Sequence, residues 1–382
     1  MNWIRDNILK ILIILGVAVV IIVIFALVTK PKGDVVVKGT KYGELETKLQ
    51  NAAIKYIGKH KKLLPTTKDD VTRVKLNTLI SNNYIGKLVA VDNANTKCDG
   101  YVEISKISDD KEDYRYTPYI KCGEYYTTKT IGDYIIDKET NDGTFNRTTD
   151  AGLYQMGEKY IFKGESVNNF IKIGDHKYRI IGIESDKTLK LISTTLTNSS
   201  YVWDDRYNVD KKENYGINNF QKSRLYDSLL TLYENTDINK GEIYFSSDEK
   251  EYIIEHDFCI GRRSVADGNI YSGVECTETI PLKVGLLTVD EVSKASIDPN
   301  CNSIYSEACF NYNYFYPDGR KKSYTTITPV ADNSYQFYKI RYDGALNLTA
   351  SVSSQLYPVV YINSKTIFSS GTGTTDDPYI VR

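Results

Sequence analysis

The hydrophobic pattern is least even near the start of the chain, where residues 11–28 form one uncharged apolar run. A helix of that length rises about 27 Å, close to the hydrocarbon core of a bilayer. Lys10 can snorkel and lend Ile8 and Leu9 to the span. The run is longer than a signal-peptide core, and neither a small-x-small cleavage pattern nor a lipobox cysteine follows it. An uncleaved anchor is therefore expected. Lys30-Pro31-Lys32-Gly33-Asp34 breaks the helix. Tyr42, Leu45, Leu49, Ala52, Ala53 and Tyr56 then keep helical spacing and predict a helix over 42–57. Asp69 or Asp70 is placed to cap a further helix through Ile80.

Two alternating runs, 100–106 and 112–121, read as strands joined by a turn at 109–111. If the hairpin centres on Asp110, Tyr101 pairs with Tyr119, Ile104 with Tyr116, and Cys98 faces Cys122. Pro118 would mark an edge. Residues 128–156, rich in Thr, Asp and Gly, read as a linker with a short strand at 134–136. From Glu158 the pattern turns β-rich, interrupted by helices near 221–234 and 247–255 and by a capping box at Thr288–Glu291 that opens a short helix. Asp343-Gly344 joins two late strands as a hairpin. The expectation is an α+β protein with a 1–10 tail, an 11–28 anchor, an α+β module at 30–127, a 128–156 linker and a β-rich α+β domain at 157–382.

Flanking charge does not orient the anchor: Arg5 and Lys10 stand on one side, Lys30 and Lys32 on the other. Cysteine usage does. Cys98, Cys122, Cys259, Cys276, Cys301 and Cys309 are even in number and lack a C-x-x-C motif, so disulfides in an oxidising compartment are expected rather than zinc. The large part should therefore lie outside the cell, on a single-pass membrane protein. A net charge of −1 suggests no nucleic-acid partner. The 32 tyrosines fit a sticky carbohydrate-binding surface, but fit the base composition of an A/T-rich genome better.

Two resemblances follow from the motifs. YGELETKLQNAAIKYIGKHKKLLP, LISNNYIGKL, CDGYVEISK and YTPYIKCGEYYT together resemble the pilin-like modules of Gram-positive bacterial surface proteins. The apolar run lacks the preceding cleavage glycine and the early glutamate of true pilins. Over 151–382, AGLYQMGEKYIFKGESVNNFIKIGDHKYRIIGIESDKTLKLI, VGLLTVDEVSKA, YTTITPV and YPVVYINSKTIFSSGTGTTDDPYIV are similar to a C-terminal module of gut bacterial surface proteins, distantly like the C-type-lectin and formylglycine-generating-enzyme superfamily fold. Family members often carry tryptophan at the positions of Tyr178 and Tyr324.

These resemblances imply a displayed binding or adhesion protein that recognises an extracellular glycan or protein. Trp203, Asp205, Tyr314, Tyr316 and Tyr324 are the candidate ligand contacts. Trp203-Asp204-Asp205 resembles a lectin's calcium triplet and Tyr316-Pro317-Asp318-Gly319 its proline loop, but in the wrong order, and two carboxylates do not complete a calcium site. No metal or cofactor is expected. His256 and Cys259 could serve as base and nucleophile, but pairing of Cys259 with Cys276 is the favoured reading. No phosphate loop, H-E-x-x-H or G-x-S-x-G motif is present, so no catalytic residue is assigned. Competing readings are a structural component of a secretion or competence apparatus and a carboxylate-dependent cell-envelope hydrolase. The topology is directly testable: protease added to intact cells should remove the domains beyond the anchor, and full protection of the 30–382 region would overturn it.

Overall fold

The computed structural model describes residues 36–68, 70–107, 109, 111–141, 151–316 and 322–382. The expected anchor at 11–28 and the 109–111 turn's Asp110 lie outside these residues, as does Asp318. Among the described residues no helix is long and apolar enough to cross a membrane. The chain is α+β and strand-rich, and it divides into two compact units, one ending at Thr128 and the other running from Lys129 to Arg382.

In the first unit, helix α1 (Tyr42–Lys59) buries Leu45, Leu49, Ala52, Ala53 and Ile57. They share a core with Val102, Ile104 and Ile120, from a four-stranded antiparallel sheet. That sheet runs in the order Val71–Lys75, Asp99–Lys106, Tyr114–Cys122, Tyr126–Thr127. The hairpin register is the expected one, with Tyr101 opposite Tyr119 and Ile104 opposite Tyr116. Cys98 and Cys122 are disulfide-bonded. The last strand pairs only with Lys121 and Cys122, so Pro118 does face an edge. The Gln50 side-chain amide of α1 reaches that edge and donates to the Tyr116 carbonyl at 2.7 Å.

One helix is shorter than expected. Val71–Lys75 is a strand, paired from Val71↔Ser105 to Lys75↔Tyr101, and α2 covers only Leu76–Ser81. The β-branched alternation around inward-facing Val74 overrides the acidic cap signal, and Arg73 ion-pairs across the ladder with Glu103 at 3.0 Å.

In the second unit, the expected linker begins with a helix, α3 (Ile131–Asn141), rather than a strand at 134–136. Thr130 and Asp133 cap it reciprocally, the Asp133 amide donating to Thr130 Oγ1 at 3.2 Å and that hydroxyl to the Asp133 carboxylate at 2.9 Å. Ile131 and Ile135 are fully buried, and the Tyr134 ring stacks on Phe368 at 3.6 Å. Gly152–Met156, also assigned to the linker, is a strand of the main sheet. That ten-stranded sheet is centred on His176–Ile183, Leu189–Ser193 and Val359–Ile362, antiparallel except where Tyr379–Val381 runs parallel to Phe170–Ile173.

A three-stranded sheet (Ser323–Pro329, Gln336–Arg341, Gly344–Thr349) and α4 (Arg224–Glu234) add further layers. The helix expected at 247–255 is only one turn, α5 (Ser247–Lys250), because Ile253 and Ile254 join the sheet edge instead. Helix α6 (Val289–Lys294) starts at the expected cap, the Thr288 amide donating to Glu291 at 2.9 Å. Cys259–Cys276 and Cys301–Cys309 complete the disulfides, so Cys259 is no free nucleophile.

The cystine in the first unit closes a 24-residue separation. Replacing Cys98 and Cys122 by serine should remove about 3 kcal/mol in the chain-entropy view. Hydrogen exchange should show earlier global opening of amides in 36–128, with those in 151–382 unchanged. Equal protection in the reduced variant would contradict this.

Candidate functional site: a tyrosine-bearing loop end

Four of the five candidate ligand contacts are core residues, which corrects that assignment. Trp203, Tyr314, Tyr316 and Tyr324 are each buried to 4 % exposure or less. The Trp203 indole donates to the Thr326 carbonyl at 3.2 Å and stacks on Phe337 at 5.7 Å. Arg179 lies between Phe170 and Tyr314, 4.3 and 4.8 Å from the two ring centres. The Tyr324 hydroxyl donates to the Phe315 carbonyl at 2.9 Å, and its ring meets Tyr316 edge-on. Burial pushes all three tyrosine phenols up. Only Asp205 is exposed, and it ion-pairs with Arg224.

Asp204, the middle of the supposed calcium triplet, is fully buried. It accepts from the Ile217 amide at 2.7 Å and from Arg206 Nε at 2.8 Å, so it fastens a loop. Among the described residues no group of three or more acidic, histidine or cysteine side chains is arranged to hold a metal ion.

That loop is one of three that are laced together. Residues 204–218 curl around Asn208, whose side-chain carbonyl accepts from the amides of Asp210 and Lys211 at 3.1 Å while its amide donates to the Gly216 carbonyl at 2.8 Å. Asn218, 2 % exposed, donates to the carbonyls of Val330, Asn333 and Gln336 at 2.8, 2.9 and 2.6 Å. It also accepts from Arg262 at 2.7 Å. This joins the 204–218 loop to 330–336 and to 261–273. The third loop is anchored by the buried Arg263 fork on Glu275 (2.7 and 2.8 Å) and by the Cys259–Cys276 bond. Asp332 accepts from the Val265 amide and from the Ser264 hydroxyl, bonds that hold its carboxyl below the usual range.

Among the exposed charges of Asp210, Lys211, Lys212 and Glu213, these loops also present large apolar and aromatic side chains. Val209 is 76 % exposed, Tyr207 55 % and Tyr271 52 %. Tyr215 and Tyr335 pair at 6.0 Å, with Lys211 over the Tyr335 ring at 4.6 Å. Large apolar side chains on a backbone this firmly tied have the physical character of a recognition face. Sequence reasoning missed it because the ties between its loops run from Asn218 to partners more than a hundred positions away.

Two other polar clusters invite a catalytic reading. A crevice of about 50 Å³ beside α6 is lined by Glu184, Glu291 and Lys190, among others. Each carboxylate there is paired to a lysine, Glu184 to Lys159 at 2.5 Å and Glu291 to the buried Lys190, so neither is free to act on a substrate. His176 Nδ1 lies 2.8 Å from Glu249, which also accepts from the Tyr178 hydroxyl. The second carboxylate oxygen of Glu249 is held by the Ser246 amide and hydroxyl at 2.9 Å each, as the capping box of α5. This pair is a structural clasp. His256, the other base candidate, stacks on Tyr361 at 3.9 Å.

Neither a protein-family model, nor a curated protein, nor a solved structure matches the chain.

The clasp predicts a pH dependence. The Glu249 hydrogen bond raises the His176 imidazole above its ordinary value, against burial, with Asp175 adding to the rise; the Tyr244 and Tyr178 rings, 5.4 and 6.4 Å away, are further titratable neighbours. Burial would raise Glu249, but hydrogen bonds from His176, Tyr178 and Ser246 outweigh it and the carboxyl is lowered. The histidine's contribution is complete below about pH 6.5 and is lost as pH rises through its folded pKa; the carboxylate's is complete above about pH 4.5 and is lost on further acidification. The stability gap between the protein and its His176→Gln variant should therefore be widest near pH 5–6.5 and narrow towards pH 9. Thermal melts across that range check it, and a constant gap would refute it.

Proposed function

We propose that this chain is a membrane-anchored display protein whose 129–382 unit binds an extracellular protein through its loop end. The first unit then serves as a spacer, in keeping with the pilin-like resemblance of its motifs. The observation that carries the reading is the loop end itself: Tyr207 and Val209 stand exposed on a loop whose backbone Asn208 satisfies from within, and Tyr271 on one whose carbonyls accept from the buried Arg263. Tyrosine suits such a face because it offers a large amphipathic contact with few rotatable bonds. Three disulfides support an oxidising compartment, and the apolar run at 11–28 supports the anchor. Against a hydrolase stands the pairing of the crevice carboxylates with lysines.

A photo-crosslinking residue at position 207 in the full chain on living cells should yield discrete covalent protein adducts. The same residue at Met156, 39 % exposed on a strand of the same unit, should not. A Tyr207→Ser/Val209→Ser variant should weaken capture of the partner about tenfold, as loss of one hot spot does. Equal labelling at 156 and 207, or none at 207, would refute the assignment.

A further inference from the structure

Beside the loop end, the flank of α4 carries an open groove of about 410 Å³, within the range of small-ligand sites. One wall is a single face of the helix, since Arg224, Asp227, Ser228 and Thr231 recur at helical spacing. The opposite wall comes from Lys240 and Glu242, and Tyr201, half-buried, contributes a ring.

On the helix face and at Glu242 the groove offers acceptors. The Ser228 hydroxyl donates to the Arg224 carbonyl at 2.8 Å and the Thr231 hydroxyl to the Asp227 carbonyl at 2.9 Å. Their protons are committed, so toward the groove they offer lone pairs. Glu242 accepts from the amides of Asn198 and Ser199 at 2.7 and 3.3 Å, which fixes its carboxylate in place. The Asp227 carboxylate is exposed, and no described residue pairs with it. Arg224 and Lys240 add donors to this set, so the groove calls for a ligand whose groups both donate and accept.

Charge narrows the class further. Arg224 and Lys240 line the same groove as Asp227 and Glu242, so two positive groups balance two negative ones. Arg224 is joined to Asp205, and Lys240 lies 4.0 Å from Asp237. An amine would meet the two cations, and an anion would meet Asp227. An uncharged ligand whose hydroxyls both donate and accept, with an apolar face to lay on a tyrosine ring, is a neutral saccharide. We infer that this groove is a saccharide-binding site, formed by the outward face of α4 and the 235–242 segment, with Asp227 as the principal acceptor of sugar hydroxyls. It is a second site, built from different residues than the exposed side chains of the loop end.

The test uses the full chain in a non-glycosidic detergent and saturation-transfer NMR, with maltose, lactose and N,N′-diacetylchitobiose as neutral probes. Galacturonate and spermidine are the charged controls. At least one neutral disaccharide should bind with a dissociation constant in the millimolar range or tighter. Asp227→Asn should weaken it about tenfold, the loss of one charge-assisted hydrogen bond. Ser228→Leu, which fills the groove from an exposed helix face, should abolish it. Melting temperatures within a few degrees of the parent confirm that both variants fold. Binding of no neutral probe, binding of a charged control alone, or binding unchanged in both variants would overturn the assignment.

Discussion

A loop end can present apolar side chains to water only if its own backbone polar groups are satisfied from inside the protein. In this chain that condition rests on Asn218. One primary amide, almost fully buried, shares its two protons among three carbonyls of the 330–336 loop while its oxygen holds Arg262. Arg262 in turn donates to the Val330 and Asn333 carbonyls at 3.1 and 2.8 Å, and the Val330 amide donates to the Gln336 carbonyl at 2.9 Å, so Asn218 and Arg262 fasten the turn at 330–336 together. Asn208 repeats the arrangement for the 204–218 loop, and the Arg263–Glu275 fork repeats it with charges for 261–273.

What the sequence made legible was local. The cystine hairpin could be registered from two short runs because an antiparallel pair has one degree of freedom once its turn is centred, and the Cys98–Cys122 pairing then followed. Helix α1 was legible from apolar spacing alone. Helix α3 was equally local, with a reciprocal Thr130–Asp133 cap and an Ile131–Ile135 stripe, but its Thr, Asp and Gly content was read as linker chemistry. The strand at Val71–Lys75 was missed for the opposite reason: its β-branched alternation is short and follows an acidic cap signal, and its pairing with Asp99–Lys106, some thirty positions on, decides between the two.

The candidate site shows the same division. Tyrosine abundance said nothing about which tyrosines face water. Those chosen from the sequence lie at the crowded centre of the second unit, where ring area is worth most and each hydroxyl needs a partner, as Tyr324 finds in the Phe315 carbonyl. Tyr178 and Tyr244 behave likewise, donating to Glu249 and to Ser193. The exposed Tyr207 and Tyr271 sit in irregular segments whose course is set by side-chain-to-backbone bonds, from Asn208 to Gly216 and from Arg263 to Asp267 and Asn269. Such polar anchoring has no periodicity, so no pattern along the chain announces it.

Rigidity on this scale has a consequence for how such a face would bind. Association loses free energy to the ordering of loops and side chains, about 0.5–1.5 kcal/mol for each mobile side chain immobilised. Here the backbone under the tyrosines is ordered before any partner arrives, by side-chain amides, an ion-pair fork and a disulfide. The cost is met on folding, and the disulfides secure that folded state. The display function proposed above asks for both properties: a loop end that needs no rearrangement to bind, and a domain whose cross-links hold its fold in an oxidising compartment.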